Sequence, residues 1–223
     1  MKSNAVIIEP PKQARAAVIW LHGLGANGHD FKPILPALPK TMTDQTRFIF
    51  PHAPQRPITI NGGMVMPGWY DVLGMDLTAQ QDAKGIRDSE DILCHYITHE
   101  IERGILAQSI VLAGFSQGGA IALHTGLRYP IPLAGIMALS TYLPLADTLE
   151  NEIHAANRKT SIFMGHGLWD PVILFSQAER SRAELEKLGY PVEWHSYQIQ
   201  HSLNPDEIVD IGKWLTALLP HDL

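Results

Sequence analysis

The sequence of 223 residues has one cysteine, Cys94, so no disulfide can form within the chain. Cysteine used so sparingly points to a reducing compartment. A basic surplus is also missing: 17 Lys and Arg stand against 23 Asp and Glu, a formal charge of −6. Phosphate backbones call for a basic face, so a nucleic-acid partner is not expected. Apolar runs long enough to cross a bilayer are absent. The opening stretch "MKSNAVIIEPPKQARAAVIW" has no long apolar segment after its lysine, unlike a secretory signal. A soluble cytoplasmic protein is the expectation. There is no repeat, low-complexity tract or Gly/Ser linker, so residues 1–223 are read as one domain. Eleven histidines are present, yet no H-E-x-x-H helix occurs, and a metal is not expected. Gly23, Gly25 and Gly28 match neither a dinucleotide fingerprint nor a phosphate loop, and no cofactor is expected.

What the chain does have is a series of short apolar runs rich in β-branched residues. They are "AAVIWL" (16–21), "RFIF" (47–50), "SIVLAGF" (109–115), "LAGIMALS" (133–140), "SIFMGH" (161–166) and "VEWHSY" (192–197). Between several of them lie segments with helical spacing. Ile86, Leu93, Ile97, Ile101 and Ile105 make a stripe along a helix from about Asp82 to Arg103, and Ile208, Ile211, Leu215 and Leu218 mark a last helix. That last helix has a legible start, with Asn204 as N-cap, Pro205 in the first turn and Glu207 completing a capping-box-like pair. Strands alternating with helices predict a mostly parallel sheet with helices on both faces, and ligands beyond the carboxyl ends of its strands.

Four strand ends carry candidate chemistry. "GFSQG" (114–118) is a G-x-S-x-G turn between strand and helix, in which Gly114 and Gly118 leave room for a sharp bend exposing Ser116. A serine hydroxyl needs a base, and the base an orienting acid. Asp170 in "GHGLWDPV" and His201 in "QIQHSLNPDE" follow later strands in the order serine, acid, histidine. Taken singly, each also fits an ordinary turn or capping residue; the joint order is the signal. The backbone N–H of Gln117 and that of Leu24, in the turn "HGLG" after the first long strand, are candidate oxyanion donors. The Gln117 side chain is given the lesser part, and His22 is expected to brace that turn. Segment 57–75 offers Met64, Val65, Met66, Trp69 and Leu73 either as an acyl-chain groove or as a hairpin whose apolar side joins the core.

Together "VIWLHGLGANGHDF", "FPHAPQRPITINGG", "GWYD", "AGFSQGGAIAL", "LSTYLP", "HGLWDPV" and "QHS" resemble the acyl-protein thioesterase/carboxylesterase family of α/β-hydrolases, from about residue 6 to 217. The resemblance implies an α/β-hydrolase fold and cofactor-free hydrolysis of carboxylic esters and acyl thioesters, sometimes of lysophospholipids. By position it makes Ser116 the nucleophile, Asp170 the acid, His201 the base, and Leu24 and Gln117 the oxyanion donors. It makes 57–75 a substrate-covering loop, with Met64, Met66, Trp69 and Leu73 on the substrate side and Tyr142 near the acyl tunnel. Substrates would be small acyl esters or thioesters, or an acylated protein, and homodimers are common in the family. No N-terminal cysteine offers a lipid anchor. Ile199-Gln200 stands where the family carries Gly-Met, and Val172-Ile173-Leu174 follows Pro171 where Val-Val-Pro is usual; both bear on substrate preference. The rival readings are a dienelactone-hydrolase-like esterase and a non-catalytic receptor with the same fold.

Overall fold

The computed structural model describes residues 4–74 and 80–221. Met75, the end of the segment read as a substrate cover, lies outside them. In chain order the elements are β1 (Ala5–Ile8), β2 (Ala16–Leu21), a short α1 (Lys40–Thr43), β3 (Thr46–Pro51), β4 (Gln55–Ile58), β5 (Met64–Pro67), α2 (Ala83–Glu102), β6 (Ile110–Phe115), α3 (Gln117–Arg128), β7 (Gly135–Leu139), α4 (Ala146–Glu152), β8 (Ser161–Gly167), α5 (Phe175–Lys187), β9 (Val192–Tyr197) and α6 (Pro205–Leu218).

Seven strands form one sheet in the order β1-β3-β2-β6-β7-β8-β9. Only β1 runs antiparallel to its neighbour; every other pairing is parallel. Side chains alternate between the two faces of a strand, so the inner strands β2, β6 and β7 are apolar throughout, whereas the edge strand β9 interleaves Glu193, His195 and Ser196 with its apolar residues. In β2, Ala17, Ile19 and Leu21 join one core with Ile86, Leu93 and Ile97 of α2 and Ile121 of α3. Ala16, Val18 and Trp20 enter a second core with Ile211, Trp214 and Leu215 of α6. Both faces are covered, as the sequence pattern predicts.

Three elements differ from the sequence reading. Strand β1 is added at the edge, its "AVII" half-buried. Segment 55–67 folds as an antiparallel hairpin, β4 against β5, standing apart from the main sheet. Its apolar residues do not all join the core: Ile58 is buried, whereas Met64 and Val65 are each more than 60% exposed (64% and 63%). At α6, Asn204 does cap the helix, its side chain accepting the Glu207 N–H at 2.9 Å. The other half of the capping box is not made. The Glu207 carboxyl has no hydrogen-bond partner; it is fully buried and presses on Gly165 of β8, where a Cβ would collide with it. Among the described residues no helix is long and apolar enough to cross a membrane.

Candidate active site

β6 ends in Phe115, α3 begins at Gln117, and Ser116 sits between them with φ 56° and ψ −123°. This backbone conformation is strained for a side-chain-bearing residue, at about 1–3 kcal/mol. Surrounding bonds hold it there. The Ser116 N–H donates to the Leu139 carbonyl at 2.8 Å, and the Ser116 carbonyl accepts from Thr141 Oγ1 at 2.7 Å. The glycines have steric causes. A Cβ on Gly114 would collide with the Gly118 carbonyl, and one on Gly118 would lie 2.5 Å from the Leu21 carbonyl oxygen.

Asp170 lies in the loop after β8 and His201 in the loop after β9. His201 Nε2 is 2.9 Å from Ser116 Oγ, and His201 Nδ1 is 2.6 Å from Asp170 Oδ2. The other Asp170 oxygen accepts the N–H groups of Val172 at 2.8 Å and Ile173 at 2.9 Å. Burial opposes ionisation of Asp170. The bonds from His201, Ile173 and Val172 outweigh it and hold the carboxyl below the ordinary carboxylate range. Three residues read separately from three loops thus form one hydrogen-bonded chain. His166, four residues before the acid, braces the same loop: its Nε2–H donates to the Ile173 carbonyl at 2.9 Å. Burial lowers its proton affinity, so the ring that fills this space is neutral.

The turn after β2 lies against Ser116. A Cβ on Gly23 would stand 3.4 Å from Ser116 Cβ. His22 braces the turn: Nδ1–H donates to the Gly23 carbonyl at 2.7 Å, while Nε2 accepts the Ala53 N–H at 3.1 Å. Burial lowers the proton affinity of His22, which keeps Nε2 free to accept. Leu24 follows in this turn, and Gln117 opens α3, where the first N–H groups of a helix have no partner within it.

The residues read as substrate-facing separate into distinct environments. Met66 reaches the Gly25 turn, with its sulfur 3.7 Å from where a Gly25 Cβ would be. Met64 stands in solvent at the hairpin. Leu73 lines a crevice with Tyr70, Val72, Gln81 and Tyr142. Tyr142 is buried, its hydroxyl 2.9 Å from that of Tyr70. Trp69 has no exposed area, so it is interior wall rather than adaptable apolar surface. The reason is its polar edge: the indole N–H donates to the His22 carbonyl at 2.8 Å. The sequence reading also undervalued the Gln117 side chain. Its Oε1 accepts the Trp69 N–H at 2.7 Å, and its Nε2 donates to the Tyr70 carbonyl at 2.6 Å. No local signal could have revealed this, because the partners lie 48 and 47 residues away.

Comparison with known proteins agrees with this architecture over most of the chain. The sequence profile of the phospholipase/carboxylesterase family matches residues 2–219. The chain is 38% identical to acyl-protein thioesterase 1 of Gibberella zeae, covering 96% of this chain and 95% of that one. It is 40% identical to acyl-protein thioesterase 1 of Neurospora crassa, covering 92% and 87%. Among solved structures, Zea mays acyl-protein thioesterase 2 superposes with a TM-score of 0.86 at 30% identity, covering 98% of this chain and all of that one. Arabidopsis thaliana SOBER1 gives 0.88 at 30% identity, covering 93% and 100%. An α/β-hydrolase sheet, a strained strand-to-helix turn at Ser116 and a family profile spanning nearly every residue lead to one assignment: the chain belongs to the phospholipase/carboxylesterase family, hydrolases that act on ester bonds.

Proposed function

We propose that this protein cleaves carboxylic esters and acyl thioesters by acyl transfer through Ser116, His201 and Asp170. The observation that carries the reading is the continuous chain from Ser116 Oγ through His201 to Asp170, with links of 2.9 and 2.6 Å. His201 Nε2 takes the hydroxyl proton as Ser116 Oγ bonds to the substrate carbonyl carbon. The N–H groups of Leu24 and Gln117 receive the oxyanion. Collapse of that intermediate expels the alkoxide or thiolate, protonated by His201 where needed, and leaves an acyl-serine. A water then loses its proton to His201, attacks the acyl carbon and releases the carboxylic acid with Ser116 restored. Asp170 keeps the imidazole proton on Nδ1 and stabilises the imidazolium at each transfer. Relatives named acyl-protein thioesterases make an S-acylated protein a substrate to assay beside small esters, and a cytoplasmic setting fits that reading.

Replacing Ser116 by alanine tests the mechanism. The folded variant is expected to lose on the order of 10⁶-fold in kcat toward a short p-nitrophenyl ester, by comparison with other triads. It should also lose labelling by a fluorophosphonate, which reacts with an activated serine. Near-normal turnover by folded Ser116→Ala would refute the assignment.

A further inference from the structure

The two candidate oxyanion donors belong to separate elements. Leu24 follows β2, and Gln117 begins α3. Their N–H groups must aim at one oxygen atom, and a hydrogen bond weakens steeply as distance and angle depart from the optimum. Part of their relative placement comes from backbone packing, since Gly118 of α3 lies against the carbonyls of Leu21 and His22. That contact fixes how near the two elements come, while their tilt needs a second point of attachment.

Trp69 touches both. Its indole N–H donates at 2.8 Å to the carbonyl of His22, two residues before Leu24. Its backbone N–H donates at 2.7 Å to the side chain of Gln117, and the same amide donates at 2.6 Å to the Tyr70 carbonyl. Both ends of the Gln117 amide are used, which fixes its orientation. Trp69 is itself anchored from outside the site. Ser89 Oγ of α2 donates to its carbonyl, and its ring packs 5.3 Å from that of His22, centroid to centroid. The preceding strand is tied to the same turn, where the Gly25 N–H donates to the Pro67 carbonyl at 2.8 Å. A residue with no exposed surface therefore uses its two N–H groups to join the two halves of the site.

We propose that Trp69 and the Gln117 side chain form a strut that sets the spacing and tilt of the two oxyanion donors, Leu24 and Gln117. Both act as positioning residues: the indole and the Gln117 amide work through backbone N–H groups. The inference rests on the acyl-transfer reading. It predicts that loosening the strut weakens the interaction made only when the carbonyl oxygen becomes an anion, and leaves binding of the uncharged ester almost unchanged.

Two substitutions separate this from a merely structural role. Trp69→Phe keeps much of the ring volume and removes the indole N–H. Gln117→Met keeps the side-chain length and the backbone N–H and removes both amide bonds. Each would be compared with the full-length wild-type chain on p-nitrophenyl butyrate, and for inhibition by an alkyl trifluoromethyl ketone, whose serine adduct carries the oxyanion. The expected result is a fall in kcat of about 10–100-fold, the scale of a misplaced rather than a deleted donor. KM should stay within about 3-fold, and the ketone should bind more weakly by about the factor lost in kcat/KM. Folded variants whose kcat and ketone affinity both stay within about twofold of wild type would overturn the strut, as would a loss confined to KM or to thermal stability. If one variant fails to fold, the other carries the test. Failure of the wild-type chain to hydrolyse the ester or be inhibited would instead remove the acyl-transfer reading itself, and the strut with it.

Discussion

Replacing Glu207 by glutamine gives a perturbation whose size and pH dependence follow from its surroundings. The carboxyl is fully buried in the first turn of α6, and neither oxygen has a hydrogen-bond partner. A charge buried in this way is costly, so the group keeps its proton instead. Burial, with the nearby negative charge of Asp210, pushes its pKa from 4.5 up to about 8. Tyr197 of β9 is the other titratable group that senses this carboxyl, and its hydroxyl donates to Asp210. In the unfolded chain the proton leaves near 4.5, and in the folded chain near 8. Between those values the native state binds one proton more than the unfolded state, so stability falls as pH rises. The slope is about 1.4 kcal/mol per pH unit, and the whole window corresponds to roughly 5 kcal/mol, with no further loss above it. Glutamine has the same shape and does not titrate. Any fixed cost of burying its amide is independent of pH, so the stability of Glu207→Gln relative to wild type should rise from pH 5 to pH 8 by several kcal/mol. Urea unfolding at pH 5, 6.5 and 8, followed by tryptophan fluorescence, measures this directly. A stability difference that does not change with pH would refute the account of a neutral, buried Glu207.

Two other substitutions test different parts of the site. Asp170→Asn keeps the loop but presents an amide to His201 Nδ1, favouring the wrong imidazole tautomer; kcat should fall about 10⁴-fold while the fold persists, checked by steady-state kinetics and circular dichroism. Gly118→Ala drives a Cβ to within 2.5 Å of the Leu21 carbonyl oxygen and 2.6 Å of the His22 carbonyl oxygen. Because those neighbours are backbone, the elbow and the oxyanion turn must part, and kcat should drop by at least about 10²-fold with a lower melting temperature. An alanine variant with wild-type turnover would mean that the turn tolerates a separation this close packing does not suggest.

The parts of the fold legible in the sequence were those whose signal is local. Runs such as "IVLAGF" (110–115) are apolar at every position because both faces of a parallel strand are covered, and that pattern needs no knowledge of partners. Ser116, Asp170 and His201 stand out as candidates because each follows a strand run, and the structure brings them into one hydrogen-bonded chain. Strand β1 escaped notice because it is four residues long, half-buried and close to Pro10 and Pro11. A hairpin is one of the two readings of 57–75; what differs is that Met64 and Val65 on it stay exposed instead of joining the core. Glu207 has the spacing of a capping box, yet its side chain is recruited by Gly165, 42 positions earlier, where the missing Cβ leaves room for a carboxyl. Trp69 reads as loop apolar surface until the carbonyl of His22 is placed beside its indole N–H. For Glu207 and Trp69 a contact distant in sequence outweighed a local preference.

The contact between Ser116, His201 and Asp170 also poses a problem of reach that the sheet order makes explicit. Ser116 follows β6 and His201 follows β9, with β7 and β8 between them. At about 4.8 Å per strand, three spacings separate the two strand ends by roughly 14 Å. Nε2 and Oγ nevertheless meet at 2.9 Å, so the loop after β9 must turn back across the sheet's carboxyl edge. Gly167, the last residue of β8, allows the crossing: a Cβ there would lie 2.5 Å from the Ile199 carbonyl oxygen. Once across, the loop is tied to the acid loop beneath it. Leu168 N–H donates to the Tyr197 carbonyl at 2.8 Å and Trp169 N–H to the Ile199 carbonyl at 3.1 Å. The rings of Phe115 and His201, 4.8 Å apart, then place the imidazole over the end of β6, beside Ser116. Backbone bonds between their loops therefore align Asp170 and His201 in addition to the side-chain bond between them. Their 2.6 Å contact depends on the close crossing at Gly167, where a side chain would push the two loops apart.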